Sequence, residues 1–206
     1  MRVLLLRHAE SANPGIFHGA ESDVGLSERG HRQAEAIAPV LAALKPTRLV
    51  SSAMRRARDT ADPIARACGL EMQIEPDLHE RRVGALTGTP THGSDGVWPD
   101  TLRRWLAGET EYAPPGAESF DDLRNRLLPA WQRVVSGNEA GPLIVVAHGI
   151  VCKVLLFSLL PGYSTADWHR IGPIFNVSIS ELHRTRDCWS AVRINEVAQE
   201  VAQLDG

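Results

Sequence analysis

Lysine is almost missing from this chain. Of its 22 basic residues, only Lys45 and Lys153 are lysines. Arginine is always charged and bidentate toward phosphate or carboxylate. A chain-wide arginine bias also follows from genomic base composition, so the position of an arginine carries information and the total does not. Cysteine is scarce: Cys68, Cys152 and Cys188 are odd in number and show no C-x-x-C spacing. That excludes a disulfide framework and a cysteine zinc site, and a reduced, cytoplasmic setting is expected. No apolar run reaches spanning length, and "MRVLLLRHAE" is interrupted too soon for a signal peptide, so no membrane partner is expected. Without a secretory signal, the acceptor-like "NVS" at Asn176 is chance. A positive surplus is absent too. The net charge of −3 speaks against general nucleic-acid binding, so any affinity for anions must be local.

What is present is a globular composition, 43% hydrophobic and 23% charged over 206 residues. This length suits one α/β domain with a core that needs no disulfide or metal, and residues 1–206 are expected to form one. "VLLL" at 3–6 and "PLIVVA" at 142–147 are continuous apolar runs, as in strands buried on both faces. "TRLVSS" at 47–52 and "MQIE" at 72–75 are shorter candidates. "NVSISELH" at 176–183 and "WSAVRIN" at 189–195 alternate and predict an antiparallel hairpin at a sheet edge.

Helical patterns lie between. Ser27 predicts a cap for a helix through about Leu44, which Pro39 should kink or split. A second runs from about Ala53 to Cys68, is bent at Pro63, and stops at Gly69. Ser119 with Asp122 opens a third, striped by Phe120, Leu123, Leu127, Trp131 and Val134. "IVCKVLLFSLL" at 150–160 is apolar nearly all round and predicts a buried helix. The alternation predicts a three-layer α/β/α sandwich with a mainly parallel central sheet and an antiparallel edge. Residues 84–118, rich in Gly, Thr and Pro, show little periodicity and are expected to form a lid or specificity loop.

In open α/β sheets, ligands bind at the carboxyl ends of the strands. Arg7 and His8 end the first apolar run, and His148 ends "LIVVA", followed by Gly149, which allows close backbone approach. Arg55, Arg56 and Arg58 fall in the first turns of a helix, where free N–H groups already attract anions. Two arginines and two histidines on one rim suit a phosphoryl group. The arginines also disfavour protonation of His8, leaving a neutral imidazole able to attack phosphorus. An acid is needed for the leaving oxygen. Glu80 in "DLHERRVGALTG" is one candidate and Glu10 the rival.

These segments together resemble the histidine phosphatase superfamily, which includes phosphoglycerate mutases and many phosphatases. Arg7-His8 match its Arg-His signature, "SAMRRARDTA" its S-x-x-x-R-A-x-x-T-A segment through Arg56, "LHE" its acid through Glu80, and "AHG" its second histidine through His148. "GLSERGHRQAE", "PPGAES" and "NVSISEL" also look like family segments, so the resemblance spans about residues 3–183. It implies a phosphoglycerate mutase-like fold and a phosphohistidine at His8. Arg7, Arg56 and His148 would hold the phosphoryl oxygens, Glu80 would act as acid and then base, and no metal or other cofactor is required. Departures are Ala9 where the family most often has glycine, and "ALTG" where many phosphatases have W-E-G. The substrate implied is a small phosphorylated metabolite. The alternatives are a mutase, whose carboxylate-binding arginine pair Arg103 and Arg104 would match, and a non-catalytic phosphate-binding module.

Other residues carry competing readings. Ser11 and Asn13 follow the signature and are candidates for phosphate binding. His92 and Trp98 fall in the lid segment, as substrate contacts or as local packing. Arg55, Arg58, Arg103 and Arg104 read equally as solvated helix charges, and Cys152 as a buried thiol. A metal on His8, Glu10 and His148 is disfavoured, because nearby arginines repel a cation. Monomer and homodimer both stay open.

Overall fold

The computed structural model describes residues 1–91, 96–137, 141–186 and 188–205. His92 lies outside them. The central feature is a six-stranded sheet made of β1 (Arg2–Arg7), β2 (Arg48–Ser52), β3 (Met72–Glu75), β4 (Leu143–Ala147), β5 (Ile179–Thr185) and β6 (Cys188–Glu196), in the order β3-β2-β4-β1-β5-β6. The four strands β3, β2, β4 and β1 are parallel, whereas β5 and β6 join antiparallel at the β1 side. The antiparallel hairpin at the sheet edge is as the alternation predicts.

The side chains of β1 and β4 explain why these strands are apolar without a break. Val3, Leu5, Leu143 and Val145 enter one core with α4 (Phe120–Val135) and α5 (Gly149–Leu159). Leu4, Leu6, Ile144 and Val146 enter a second core with α1 (Glu28–Ala42) and α2 (Arg55–Cys68). Successive side chains point to opposite faces of a strand, so two cores on two faces give the α/β/α sandwich.

Ser27 caps α1 by accepting from Gly30 N at 2.9 Å, and Ser119 forms a full capping box with Asp122 on α4. Gly69 ends α2 with φ 63. The expected split at Pro39 does not occur. α1 runs through Pro39, as α2 runs through Pro63 and α4 through Pro129. Each proline removes one backbone donor, but buried residues on both sides, such as Ile37, Ala38 and Leu41, keep α1 docked. Among the described residues, no helix is long and apolar enough to cross a membrane.

The 84–118 segment contains a helix that the sequence pattern hid, α3 (Val97–Leu106), which buries Thr101 and Trp105. Its base is pinched. Val83 bridges Ala117, and Glu118 N donates to Arg82 O at 2.9 Å. Gly84 sits at φ 54, where a Cβ would come 2.5 Å from Pro115 O. Only glycine fits that crossing.

Candidate active site

The register of the sheet assembles the site. Arg7 pairs with Ala147, and His8 N donates to Ala147 O at 2.9 Å, so the ladder continues one step past β1. His8 and His148 therefore leave neighbouring strand ends side by side, with ring centroids 5.1 Å apart. Ser52 ends β2, the next strand over, and its Oγ lies 2.8 Å from His148 Nε2. Three adjacent strands thus contribute three adjacent polar groups.

Hydrogen bonds fix the state of His8. Its Nδ1 lies 2.6 Å from Ala9 O. A carbonyl only accepts, so Nδ1 carries the proton and Nε2 keeps the lone pair. The backbone around it is held on every side. Val177 N donates to Arg7 O, Asn176 Nδ2 to His8 O, and Ala9 N to Thr60 Oγ1 at 3.0 Å. Burial, then the charges of Arg7 and Arg56, hold His8 well below the ordinary histidine value. His148, fully buried, is held down by the same two causes, burial first.

Arg56 leaves the first turn of α2 and is 1% exposed. Its Nη groups donate to Ser22 O at 2.8 Å and His18 O at 3.0 Å, so the loop after β1 locks the guanidinium. Arg7 Nη1 donates to Ile174 O at 2.6 Å. Arg7 Nε and Arg56 Nε are buried donors without a partner, and His148 Nδ1 is likewise buried and unpartnered. Such groups are costly unless something accepts from them. Arg7 and Arg56 line the cavity with His8, whereas His148 does not line it and packs against His8, ring against ring.

Glu80 is nearly buried and lines the same cavity, of about 500 Å³, as Arg7, His8 and Arg56. Its Oε1 accepts from Arg81 N at 2.8 Å and its Oε2 from Ile150 N at 3.3 Å, at the start of α5. Glu10, the rival acid, is committed elsewhere. It accepts from Ser27 Oγ at 2.6 Å and from Arg29 Nη1 at 2.7 Å. Its backbone O lies so near Gly30 that a Cβ there would collide with it. Glu10 therefore ties the loop to the start of α1.

The remaining candidates divide. Ser11, Gly149 and Trp98 line the cavity, whereas Asn13 is exposed and does not. A Cβ at Gly149 would meet Arg7 Nε only at 3.6 Å, so protein atoms alone do not demand glycine there. Arg103 and Arg104 do not line the cavity. They pair with Asp100 at 2.6 and 3.1 Å, and Arg104 also with Glu109. Arg55 pairs with Asp59. Burial pushes the Cys152 thiol up, away from thiolate formation.

Two cavity-lining cations escaped the sequence reading, Arg81 and Lys153. The signals were there: Arg81 directly follows Glu80, and Lys153 is the single charge in an otherwise apolar helix. Among the described residues, no three His, Cys, Asp or Glu side chains are grouped to hold a metal ion.

Fold and site together place two histidines, two arginines and a glutamate at the strand ends of an α/β/α sandwich. The family model of the histidine phosphatase superfamily (branch 1) matches residues 3–197. The chain belongs to this superfamily. A bifunctional protein of Mycobacterium tuberculosis is 34% identical over 94% of this chain, which spans only 53% of that protein. The chain thus covers about half the length of such a relative. The metal-independent phosphoserine phosphatase of Arabidopsis thaliana is 32% identical, over 91% of this chain and 78% of its own. The structure of a mycobacterial glucosyl-3-phosphoglycerate phosphatase superposes with TM-score 0.81 at 30% identity, over 95% of this chain and 99% of that one.

Proposed function

We propose that the protein is a metal-independent phosphomonoesterase that hydrolyses a small phosphorylated metabolite through a phosphohistidine at His8. The observation that carries this is the tautomer of His8: with Nδ1–H given to Ala9 O, the nucleophilic lone pair sits on Nε2 in the cavity. Nε2 attacks phosphorus, the N–P bond forms, and the ester P–O bond breaks. The Ala9 carbonyl offsets the positive charge that then develops on the ring. Arg7, Arg56 and His148 Nδ1 donate to the equatorial oxygens, whose charge grows in the transition state. A protonated Glu80 gives its proton to the leaving oxygen. As a carboxylate it then takes a proton from water, whose oxygen attacks phosphorus, breaks the N–P bond and restores neutral His8.

The names of the relatives support hydrolysis over mutase transfer. So do Arg103 and Arg104, which lie away from the cavity and are paired with acids. The free Cys68, Cys152 and Cys188 suit a reducing, cytoplasmic setting. The test is phosphate release from p-nitrophenyl phosphate in EDTA by wild type and His8→Ala. Release that is lost in the variant is expected. Equal release by both proteins refutes His8 as nucleophile, and none by wild type refutes hydrolysis.

A further inference from the structure

Arg81 and Lys153 line the cavity on a cluster of indole rings. The Arg81 guanidinium lies over Trp105 at 4.8 Å and Trp98 at 5.3 Å, and Lys153 Nζ lies over Trp168 at 4.1 Å. Trp98 and Trp168 are themselves in contact, with centroids 6.0 Å apart, so both cations belong to one aromatic wall. Arg81 is 1% exposed and Lys153 5%.

Neither cation is neutralised. Among the described residues, neither forms an ion pair. Arg81 Nε donates to Glu118 O at 2.8 Å, while Nη2 is buried and unpartnered. Lys153 Nζ donates once, to Trp168 O at 3.1 Å. Glu80 accepts from the Arg81 backbone N–H but makes no ion pair with its guanidinium, while Glu118 pairs with Arg126 and Glu21 accepts from Val83 N and Gly84 N. Burial lowers Arg81 to about 10 and Lys153 to about 8, so each keeps its proton at neutral pH at a desolvation cost. Buried charges are retained in such places when a counter-charge arrives.

The charge balance indicates what arrives. Leaving histidines aside, and with Glu80 protonated as the first step requires, the cavity wall carries the cations Arg7, Arg56, Arg81 and Lys153, a formal charge of +4. A phosphomonoester dianion held by Arg7 and Arg56 leaves the two positive units of Arg81 and Lys153 over. Lys153 follows Gly149 by one turn on the cavity face of α5, about 6 Å along the helix. That separation matches two or three carbons between the phosphate and a second group.

We propose that Arg81 and Lys153 form a carboxylate subsite, which makes the substrate a short phosphorylated hydroxy or amino acid. This rests on the phosphatase reading above. The test compares kcat/KM within two matched pairs, O-phosphoserine with O-phosphoethanolamine and 3-phosphoglycerate with glycerol 3-phosphate. Each pair differs in its carboxylate. Wild type is expected to prefer the carboxylate ester at least about tenfold in one pair, consistent with one charge-assisted pairing. Lys153→Met should collapse that ratio and Lys153→Arg should retain it, with thermal unfolding confirming that both variants fold. Reading the ratio cancels any general loss of activity. Hydrolysis of p-nitrophenyl phosphate without a carboxylate preference in either pair overturns the subsite alone, as does an unchanged ratio in Lys153→Met. No hydrolysis of any ester overturns the phosphatase function.

Discussion

Replacing Thr60 by valine removes one oxygen and keeps the shape. That oxygen accepts from Ala9 N at 3.0 Å and donates to Arg56 O at 2.7 Å, in a position with no solvent exposure. Losing the donation costs little, because a helix carbonyl keeps its intrahelical partner. Losing the acceptor strands the Ala9 N–H, which costs about 1–3 kcal/mol. With a central value of about 2 kcal/mol, a chain of this size should melt about 4–8 °C lower. The same residue supplies the carbonyl that fixes the His8 tautomer, so kcat should fall on the order of tenfold as the ring loses its orientation. Thr60→Ser separates the hydroxyl from the methyl. It keeps both hydrogen bonds and loses about 1 kcal/mol of packing. Urea unfolding and p-nitrophenyl phosphate kinetics on the three proteins should rank wild type, Ser, Val in both measurements. A valine variant within about 0.5 kcal/mol of wild type, or a serine variant less stable than valine, refutes the reasoning.

Ser52→Ala should free the His148 ring by removing its partner at 2.8 Å. A fall in kcat on the order of 10- to 100-fold with little change in KM is expected, and an unchanged kcat contradicts it. Gly84→Ala places a Cβ 2.5 Å from Pro115 O at φ 54. It should cost about 1–3 kcal/mol and speed limited proteolysis within residues 84–118, whereas unchanged cleavage would mean that the pinch does not anchor the segment. His8 and His148 are both held below 6.5 in the fold, so the unfolded chain binds more protons once the pH drops below that value. Stability should therefore fall as pH decreases from 6.5, by up to about 1.4 kcal/mol per pH unit for each histidine. Urea titrations from pH 7.5 to 5 check this, and His148→Gln should flatten the slope.

The strands and the main helices could be read because their signals are local: a two-sided apolar run, a capping serine, a glycine after a helix. Arg7, His8, Arg56 and His148 could be named because each ends or begins such an element, and Glu80 through the family-like "LHE". What stayed hidden depends on contacts between segments. Trp105 becomes a core residue through Arg81, Trp98, Phe120 and Trp168, which pack on it from other segments and from its own helix, and the turn residues before α3 masked its helical spacing. Lys153 sits in an apolar helix, and its place in the cavity shows only once Trp168 and Arg81 are packed around the same space. Glu10 stood as a rival acid until its bonds to Ser27 and Arg29, and the approach of Gly30 twenty residues on, tied it to the start of α1. Pro39 shows the converse, a strong local signal outweighed by the burial of the helix around it.

The pairing of β1 with β4 and β5 also has a consequence for how the chain comes into being. β1 is made first, yet its partners begin at Leu143 and Ile179. At roughly 5–20 residues per second, a ribosome needs about ten to thirty seconds to deliver both. For that time Val3–Leu6 has no neighbour and is an apolar strand with two open edges, the kind of segment that recruits chaperones or other nascent chains. Loops this long also close slowly. The two histidines can meet only when the sheet closes around β1, so the recovery of activity during refolding would time that closure.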